Sequence, residues 1–172
     1  ALYLCTDSGL MSCNTVEESV ERAIQGGVSV VQLREKEASS RELFELAKRV
    51  KRVTDKYYVP LIINDRLDIC LAVDAAGVHL GQTDLPCSEA RRILGAEKII
   101  GVSAATPEEA AKAQSDGADY LGVGAVFATS TKTNTRPVTA ETIRAIRSAV
   151  DIPFVVIGGV NSENISGLHG LG

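Results

Sequence analysis

The segment Val30–Glu37, VVQLREKE, begins as an apolar strand and ends in a dense cluster of charges. Side chains alternate between the two faces of a strand, so Gln32, Arg34 and Lys36 are predicted to point to the same side. Two cations and an amide without partners would be costly inside a packed core. We therefore expect these three side chains to leave the interior and line a polar site at the carboxyl end of the strand.

The rest of the chain alternates short apolar, β-branched segments with segments of helical periodicity. The strand candidates are Leu2–Thr6, Val28–Arg34, Pro60–Asn64, Gly77–Leu80, Ile99–Ser103, Tyr120–Phe127 and Pro153–Ile157. Helix starts are marked by side-chain capping signals at Thr15, Ser39 and Thr106. This alternation indicates parallel strands joined by right-handed crossovers, either in an open doubly wound sheet or in a closed (β/α)8 barrel.

Polar residues follow nearly every strand candidate, and this favours the barrel. They are Thr6-Asp7, Gln32 to Lys36, Asn64-Asp65-Arg66, Gly81 to Asp84, Ser103, Thr129 to Lys132 and Gly158-Gly159. In a (β/α)8 barrel the carboxyl ends of the strands converge on one mouth, where the active site lies. Only seven strands are visible, so we expect one α/β barrel domain over residues 1–172, without its eighth strand and helix and trimmed at its amino end.

Composition excludes several classes of function. A net charge of -4 argues against a general nucleic-acid surface and against an anionic membrane as the main partner. Four cysteines without CxxC spacing and only two histidines make a zinc site improbable, and free thiols in a reducing cytoplasm are the economical interpretation. No G-x-S-x-G or GxGxxG motif supports a hydrolase or a dinucleotide-binding fold.

The polar residues at the strand ends suit the binding of a metal-diphosphate. Asp65 and Asp84 are carboxylates on two different strands, and Mg²⁺ takes one or two carboxylates together with phosphate oxygens. Arg34, Lys36 and Lys132 are cations that suit the remaining charge on a diphosphate. Each signal alone also has an ordinary structural explanation: Asp65 could cap the next helix, and Asp84 could be a turn residue.

The whole motif series resembles that of the thiamine phosphate synthase family, in order and in spacing. The motifs are Gln32-Leu33-Arg34-Glu35-Lys36, Asn64-Asp65-Arg66, Gly77 to Asp84, Gly101-Val102-Ser103, Thr129-Ser130-Thr131-Lys132 and Ile157-Gly158-Gly159-Val160. The resemblance implies a transferase that condenses 4-amino-2-methyl-5-(diphosphooxymethyl)pyrimidine with a thiazole phosphate and releases pyrophosphate. It implies Mg²⁺-assisted departure of the diphosphate and attack of the thiazole nitrogen on a pyrimidine carbocation.

The resemblance also assigns roles to individual residues. It implies that Asp65 and Asp84 bind Mg²⁺. The residues expected to hold the pyrimidine diphosphate are Gln32, Arg34, Lys36, Asn64, Ser103 and Lys132, of which Arg34, Lys36, Ser103 and Lys132 are the catalytic candidates. The residues expected to hold the thiazole phosphate are Thr129, Ser130, Thr131 and Gly159, completed in the family by the start of the eighth strand.

Two alternatives stay open at this point. A related thiazole tautomerase shares the barrel but uses a histidine soon after the G-x-S motif, where this chain has Ala104 and Ala105. A barrel that only binds phosphorylated ligands is the second alternative. We further expect a cytoplasmic protein with small-molecule substrates and no nucleic-acid or membrane partner, a possible homodimer, and a possible fusion to a pyrimidine kinase domain.

Overall fold

The computed structural model describes residues 1–127 and 138–168. Parallel strands alternate with helices along the described chain. The strands are β1 (Tyr3–Cys5), β2 (Val30–Leu33), β3 (Leu61–Asn64), β4 (Gly77–Leu80), β5 (Ile99–Ala104), β6 (Tyr120–Gly124) and β7 (Phe154–Ile157). The helices are α1 (Val16–Gln25), α2 (Ser40–Lys56), α3 (Leu67–Ala72), α4 (Cys87–Leu94), α5 (Pro107–Ser115) and α6 (Ala140–Ala149), with short 3₁₀ helices at Ser8–Leu10 and Ile165–Leu168.

The order of the strands in the sheet follows their order in the chain, from β1 to β7. A doubly wound sheet reverses its strand order part-way across, at the switch point where ligands bind. An order without reversal is that of the singly wound (β/α)8 class, in which each strand is followed by a helix. The predicted α/β fold class is confirmed, with seven parallel strands in the described part of the chain.

The chain divides into two compact units, of which the first comprises Ala1–His79 and Leu94–Ile99. Its strands pair in parallel register, with Val31 beside Leu61 and Leu33 beside Ile63. Leu61, Ile62 and Ile63 of β3 are all buried, as expected of a parallel strand covered on both faces. A side chain at Gly77 would overlap the carbonyl of Ile99, so close backbone approach requires glycine there.

The second unit comprises Leu80–Ile93 and the described part of residues 100–172. Its strands β5, β6 and β7 pair in parallel, with Val102 beside Leu121 and Val123 beside Val156. Helix α5 starts as the sequence predicts, because the Thr106 side chain accepts a hydrogen bond from the N–H of Glu109 and Pro107 follows. The Glu109 carboxylate in turn accepts from the N–H of Ala105 at 2.7 Å.

The end of β2 and the start of α2 are defined more closely by the structure than by the sequence. Strand β2 ends at Leu33, one residue before the predicted end, so the alternation of a strand does not extend to Arg34 and Lys36. Helix α2 begins with a complete capping box, in which the Ser39 and Glu42 side chains each bond the other's backbone N–H. Across the described residues, every helix is too short or too polar to cross a membrane.

Candidate functional site

Gln32 is buried at the end of β2, with 6% of its surface exposed. Its Nε2 donates to the Tyr3 hydroxyl at 2.8 Å, and its Oε1 accepts from Cys5 Sγ at 3.2 Å. The expectation that Gln32 leaves the interior is therefore wrong, because two side chains of β1 satisfy its amide inside the protein. Its role in binding a substrate stays a prediction.

Arg34 and Lys36 lie in the loop after β2, where they are half-buried and exposed respectively. The loop is held to the end of β1 through Thr6, whose N–H donates to the Gln32 carbonyl at 2.9 Å. The Thr6 hydroxyl accepts from the N–H of Arg34 at 2.9 Å. The backbone that carries Arg34 is thus fixed by a buried threonine, and the two cations extend from an anchored loop.

An open pocket of about 350 Å³ lies between the loops that follow β1 and β2. It is lined by Asp7, Ser8, Gly9, Arg34, Glu35, Lys36 and Glu37. The Ser8 hydroxyl donates to Glu35 Oε2 at 2.7 Å, while Glu35 Oε1 is buried without a hydrogen-bond partner among the described residues. The pocket therefore presents both signs of charge at the carboxyl ends of two neighbouring strands.

Asp65 follows β3 in a backbone conformation that L residues rarely adopt, with a φ of 62°. Its N–H donates to the carbonyl of His79 at 2.9 Å, which holds the turn against β4. The Lys36 ammonium lies 3.7 Å from Asp65 Oδ2, with 49% and 27% of the two side chains exposed. That separation is longer than a hydrogen bond. The two charges are therefore close without a direct hydrogen bond between them, and both are accessible to solvent.

The sequence left open that Asp65 caps the helix that follows it, but helix α3 does not begin at Asp65. Its N-cap is Arg66, and the Arg66 side chain makes no capping hydrogen bond. Asp65 is therefore not the cap of this helix, and its carboxylate faces Lys36 instead.

The second unit contains Asp84 and Ser103. Asp84 Oδ2 accepts from the N–H of Gly81 at 2.7 Å, closing a turn directly after β4. The expected turn role of Asp84 is therefore observed, and it leaves the half-buried carboxylate at the carboxyl end of the strand. The Gln82 side chain donates to the Ser103 carbonyl at 2.6 Å, which joins this turn to the end of β5.

Gly158 and Gly159 follow β7 with φ angles of 99° and 65°. A side chain at Gly158 would overlap Ala125, so both conformation and space require glycine there. Gly159 accepts at its carbonyl from the Asn164 side chain at 2.8 Å. The predicted site residues Thr129, Ser130, Thr131 and Lys132 lie outside the described residues.

The donor chemistry of Asp65 and Asp84 fits a hard cation such as Mg²⁺. Both are carboxylates at the carboxyl ends of strands, and both are half-buried, with access to solvent. Within residues 1–127 and 138–168, no three His, Cys, Asp or Glu side chains form a group that could hold a metal by themselves. Mg²⁺ does not need such a cage, because it is usually held by one or two carboxylates and by substrate phosphates.

Some contacts of the site were not found from the sequence. Tyr3 and Cys5 hold the Gln32 amide, and Ser8 binds Glu35. Their sequence signal is weak: Tyr3 and Cys5 alternate on one face of β1 and so share the side on which Gln32 lies. Ser8 gives no comparable pattern, since it lies in a turn.

Comparison with known proteins identifies the family. The family model described as thiamine monophosphate synthase matches residues 2–172. The chain belongs to this family. A thiamine-phosphate synthase of Clostridium botulinum is 55% identical over 171 residues, covering 99% of this chain and 80% of the relative. One of Ruminiclostridium cellulolyticum is 58% identical over 171 residues, covering 99% and 81%.

Solved structures agree with this membership of the thiamine monophosphate synthase family. A thiamine phosphate pyrophosphorylase from Pyrococcus furiosus superposes with a TM-score of 0.90 at 40% identity, over 99% of this chain and 81% of that one. An N-acetylmannosamine-6-phosphate 2-epimerase from Clostridium perfringens gives a TM-score of 0.71 at 16% identity, which shows a shared fold alone. The predicted family, and with it the prediction of a transferase of this family, are confirmed. The predicted homodimer, kinase fusion and cytoplasmic location stay predictions.

Proposed function

We propose that this chain condenses 4-amino-2-methyl-5-(diphosphooxymethyl)pyrimidine with a thiazole phosphate to give thiamine phosphate and pyrophosphate. The observation that carries the proposal is the Lys36–Asp65 pair, a cation and a carboxylate 3.7 Å apart at the carboxyl ends of β2 and β3. The family supports it, because the relatives of 55% and 58% identity are named thiamine-phosphate synthase.

In the proposed reaction one bond breaks and one forms. The bond between the pyrimidine methylene carbon and the diphosphate oxygen breaks, and its electron pair leaves on the diphosphate. The lone pair of the thiazole nitrogen then forms the new C–N bond to the resulting carbocation. No proton has to be moved by the protein, so stabilisation of the leaving anion is the main task of the site.

The residues of the first unit suit that task. Arg34 and Lys36 extend from a loop anchored by Thr6, so their charges are placed before the reaction. Asn64 ends β3 and is one of two uncharged donors, with Gln32, among the predicted pyrimidine-diphosphate ligands of this unit. Gln32 carries no charge, and its amide is fixed by a hydrogen bond to the Tyr3 hydroxyl at 2.8 Å. Its proposed role is therefore to orient the pyrimidine diphosphate and not to offset the charge of the leaving group.

Further residues belong to the proposed set. We propose that Ser103 and Lys132 contact the pyrimidine diphosphate, and that Thr129, Ser130, Thr131 and Gly159 hold the thiazole phosphate. Asp65 and Asp84 would hold Mg²⁺, which when bound offsets negative charge on the diphosphate. The paired positive-φ glycines after β7 support a phosphate contact, since backbone without side chains lets an anion approach.

The experiment is to follow pyrophosphate release with both substrates and Mg²⁺, and then to omit each component in turn. We expect release only with both substrates present, and we expect EDTA to abolish it and added Mg²⁺ to restore it. Release that is insensitive to EDTA would contradict the metal role, and release without the thiazole phosphate would indicate hydrolysis of the diphosphate instead of transfer.

The same assay separates the alternatives. A phosphate-binding barrel without catalysis would bind the pyrimidine diphosphate in calorimetry and release no pyrophosphate. A thiazole tautomerase would change the thiazole phosphate alone, which NMR of the isolated substrate would detect. The Lys36–Asp65 pair favours the transferase over the tautomerase, because the tautomerase reaction involves no diphosphate.

A further inference from the structure

The backbone around Asp65 is a tight turn closed at both ends by hydrogen bonds. The N–H of Arg66 donates to the carbonyl of Asn64 at 2.8 Å, which closes a three-residue turn centred on Asp65. This is a γ-turn with a positive φ, a rare and strained form. Such a conformation persists only where its surroundings hold it, so the contacts of the neighbouring residues decide where the Asp65 carboxylate lies.

Arg66 makes the contacts that hold this turn from outside. Its Nε and Nη2 donate to the two carboxylate oxygens of Asp68 at 2.9 and 2.6 Å, and Nη2 also donates to the Ser40 hydroxyl at 2.9 Å. Ser40 is the first residue of α2, and Asp68 lies in the first turn of α3. The guanidinium therefore joins the turn to the starts of two helices.

Local helix stability does not explain an arginine at this position. Arg66 is the N-cap of α3 and makes no side-chain capping bond, although Ser, Thr, Asp or Asn would cap the helix better. A cation is also unfavourable at the positive end of the helix dipole. Residues that oppose local preference are expected where function requires them.

The geometry of the contact is also specific to arginine. A bidentate pair with a carboxylate fixes the orientation of the planar guanidinium, which a lysine ammonium cannot do. The Arg66 side chain is 35% exposed and that of Asp68 is 62% exposed, so solvent screens the pair and its effect on overall stability is small. What the pair determines is the position of the loop.

We propose that Arg66 is a positioning residue that holds Asp65 where it can bind the divalent cation. This inference rests on the proposed function, because it assumes that Asp65 is a metal ligand. The hydrogen bond from Arg66 also lowers the pKa of Asp68, so the carboxylate is ionised and the contact is intact at neutral pH.

The test measures metal binding directly. Mn²⁺ is titrated into the protein with inorganic pyrophosphate present and followed by EPR, and the Mg²⁺ dependence of turnover is measured in parallel. We expect Arg66→Ala and Arg66→Lys to weaken Mn²⁺ binding by about 10- to 100-fold, the range typical when a group that orients a metal ligand is removed. We expect kcat at saturating Mg²⁺ to fall much less, and Tm to change by no more than about 3 °C.

Two further variants make the test specific. Arg49→Ala is the matched control, because Arg49 makes a partly exposed ion pair with Glu17 that joins α1 to α2 and involves none of the described loops after the strands. It should leave Mn²⁺ binding unchanged. Asp68→Asn removes the negative charge that Arg66 binds, so it should reproduce part of the loss of Mn²⁺ affinity seen in Arg66→Ala. The double variant should show no further loss of affinity.

The outcomes distinguish this inference from the proposed function. Equal Mn²⁺ affinity in Arg66→Ala and Arg49→Ala would overturn the positioning role, provided that Asp65→Asn does weaken binding. If Asp65→Asn binds Mn²⁺ as the wild type does, the metal role of Asp65 in the proposed function fails first. Rescue of affinity by Arg66→Lys would show that charge alone matters and would also overturn the inference.

Discussion

Charged side chains at the amino and carboxyl ends of the strands in the first unit differ in how closely they approach their partners. Before β5, Lys98 contacts the Asp74 carboxylate directly and donates to the Ala75 carbonyl at 2.8 Å. At the carboxyl ends, Lys36 stays 3.7 Å from Asp65. One lysine is bound by protein groups in direct contact, whereas the other is held near a carboxylate without a hydrogen bond.

The second unit shows the same difference. Before β6, Asp119 accepts from Arg91 at 2.6 Å and from the N–H of Ile100 at 2.7 Å, so one carboxylate joins a side chain and a strand. After β4, the Asp84 carboxylate accepts from the N–H of Gly81 in its own turn. In (β/α)8 folds the amino ends serve stability and the carboxyl ends serve chemistry. The contrast here follows that division, and the following substitutions test it.

The largest effect is expected from Asp84→Ala. Loss of a metal-binding carboxylate should lower turnover by roughly 10²-fold or more, while Tm should change little because the hydrogen bond that Asp84 accepts comes from Gly81 in its own turn. The matched variant is Asp119→Ala, which should lower stability by about 1–3 kcal/mol and leave turnover of the folded protein near that of the wild type. The measurements are kcat and thermal unfolding of both variants. Full activity of Asp84→Ala would refute its metal role.

Lys36→Ala should have the next largest effect. Removal of a cation that meets the departing diphosphate is expected to lower kcat by about 10²-fold. Lys98→Ala is its counterpart at the amino end, and it should reduce Tm while kcat stays unchanged, because its ammonium binds Asp74 and the Ala75 carbonyl at the amino end of β5. If both lysine variants kept wild-type kcat, Lys36 would be an ordinary surface charge.

Asp65→Gly should separate stability from activity. Glycine adopts a φ of 62° without strain, so the substitution should stabilise the folded turn by about 1 kcal/mol, partly offset by the greater freedom of glycine in the unfolded chain. We expect Tm to be equal to or up to about 3 °C above that of the wild type, and turnover to fall. A clear fall in Tm would show that the carboxylate contributes to stability.

The smallest effect concerns the reactivity of the thiols. Burial raises the pKa of Cys70 to about 11, so roughly one thiol in a thousand is ionised at pH 8. Because the folded pKa lies above the usual value for a thiol, Cys70 should react with a disulfide reagent only as pH approaches 11 or after unfolding. Cys5 and Cys13 are only half-buried and should react first.

The same labelling reports on the site. Cys5 contacts the Gln32 amide, so the pyrimidine diphosphate should slow its labelling in a Cys13→Ser variant. Fast labelling of Cys70 in the folded protein would contradict the described burial. Labelling of Cys5 that the substrate does not affect would separate Gln32 from the binding site.

Much of the fold could be predicted because it depends on neighbouring residues. Six of the seven strand candidates contain the observed strand, and the candidate Ile99–Ser103 stops one residue before the end of β5 at Ala104. Strand ends are shifted by up to three residues, as at Phe127, where β6 ends at Gly124. Helix starts at Thr15, Ser39 and Thr106 are confirmed by side-chain oxygens that accept from the N–H three residues later. Caps and periodicity act within one or two turns, so they can be recognised without knowledge of the rest of the chain.

The site could be predicted only in part. Residue types and their places after the strands were evident, but the strand alternation was applied too far at Arg34, and Gln32 was assigned to an open surface. The hydrogen bond between Arg66 and Ser40 joins residues 26 positions apart in the chain, and no local pattern indicates it. Hydrogen bonds of this kind depend on which loops the sheet places side by side.

The sequence by itself determined the order of strands and helices, the family and the chemical character of the strand ends, since these follow from local periodicity and from motifs. Only the tertiary structure decided which charges are in direct contact and which are held apart. Lys98 and Lys36 are both lysines next to a strand with an aspartate nearby, yet only Lys98 contacts its aspartate directly. The distance between two loops is set by strand register and by the backbone conformation of turns such as that of Asp65, and these arise only when the chain is folded.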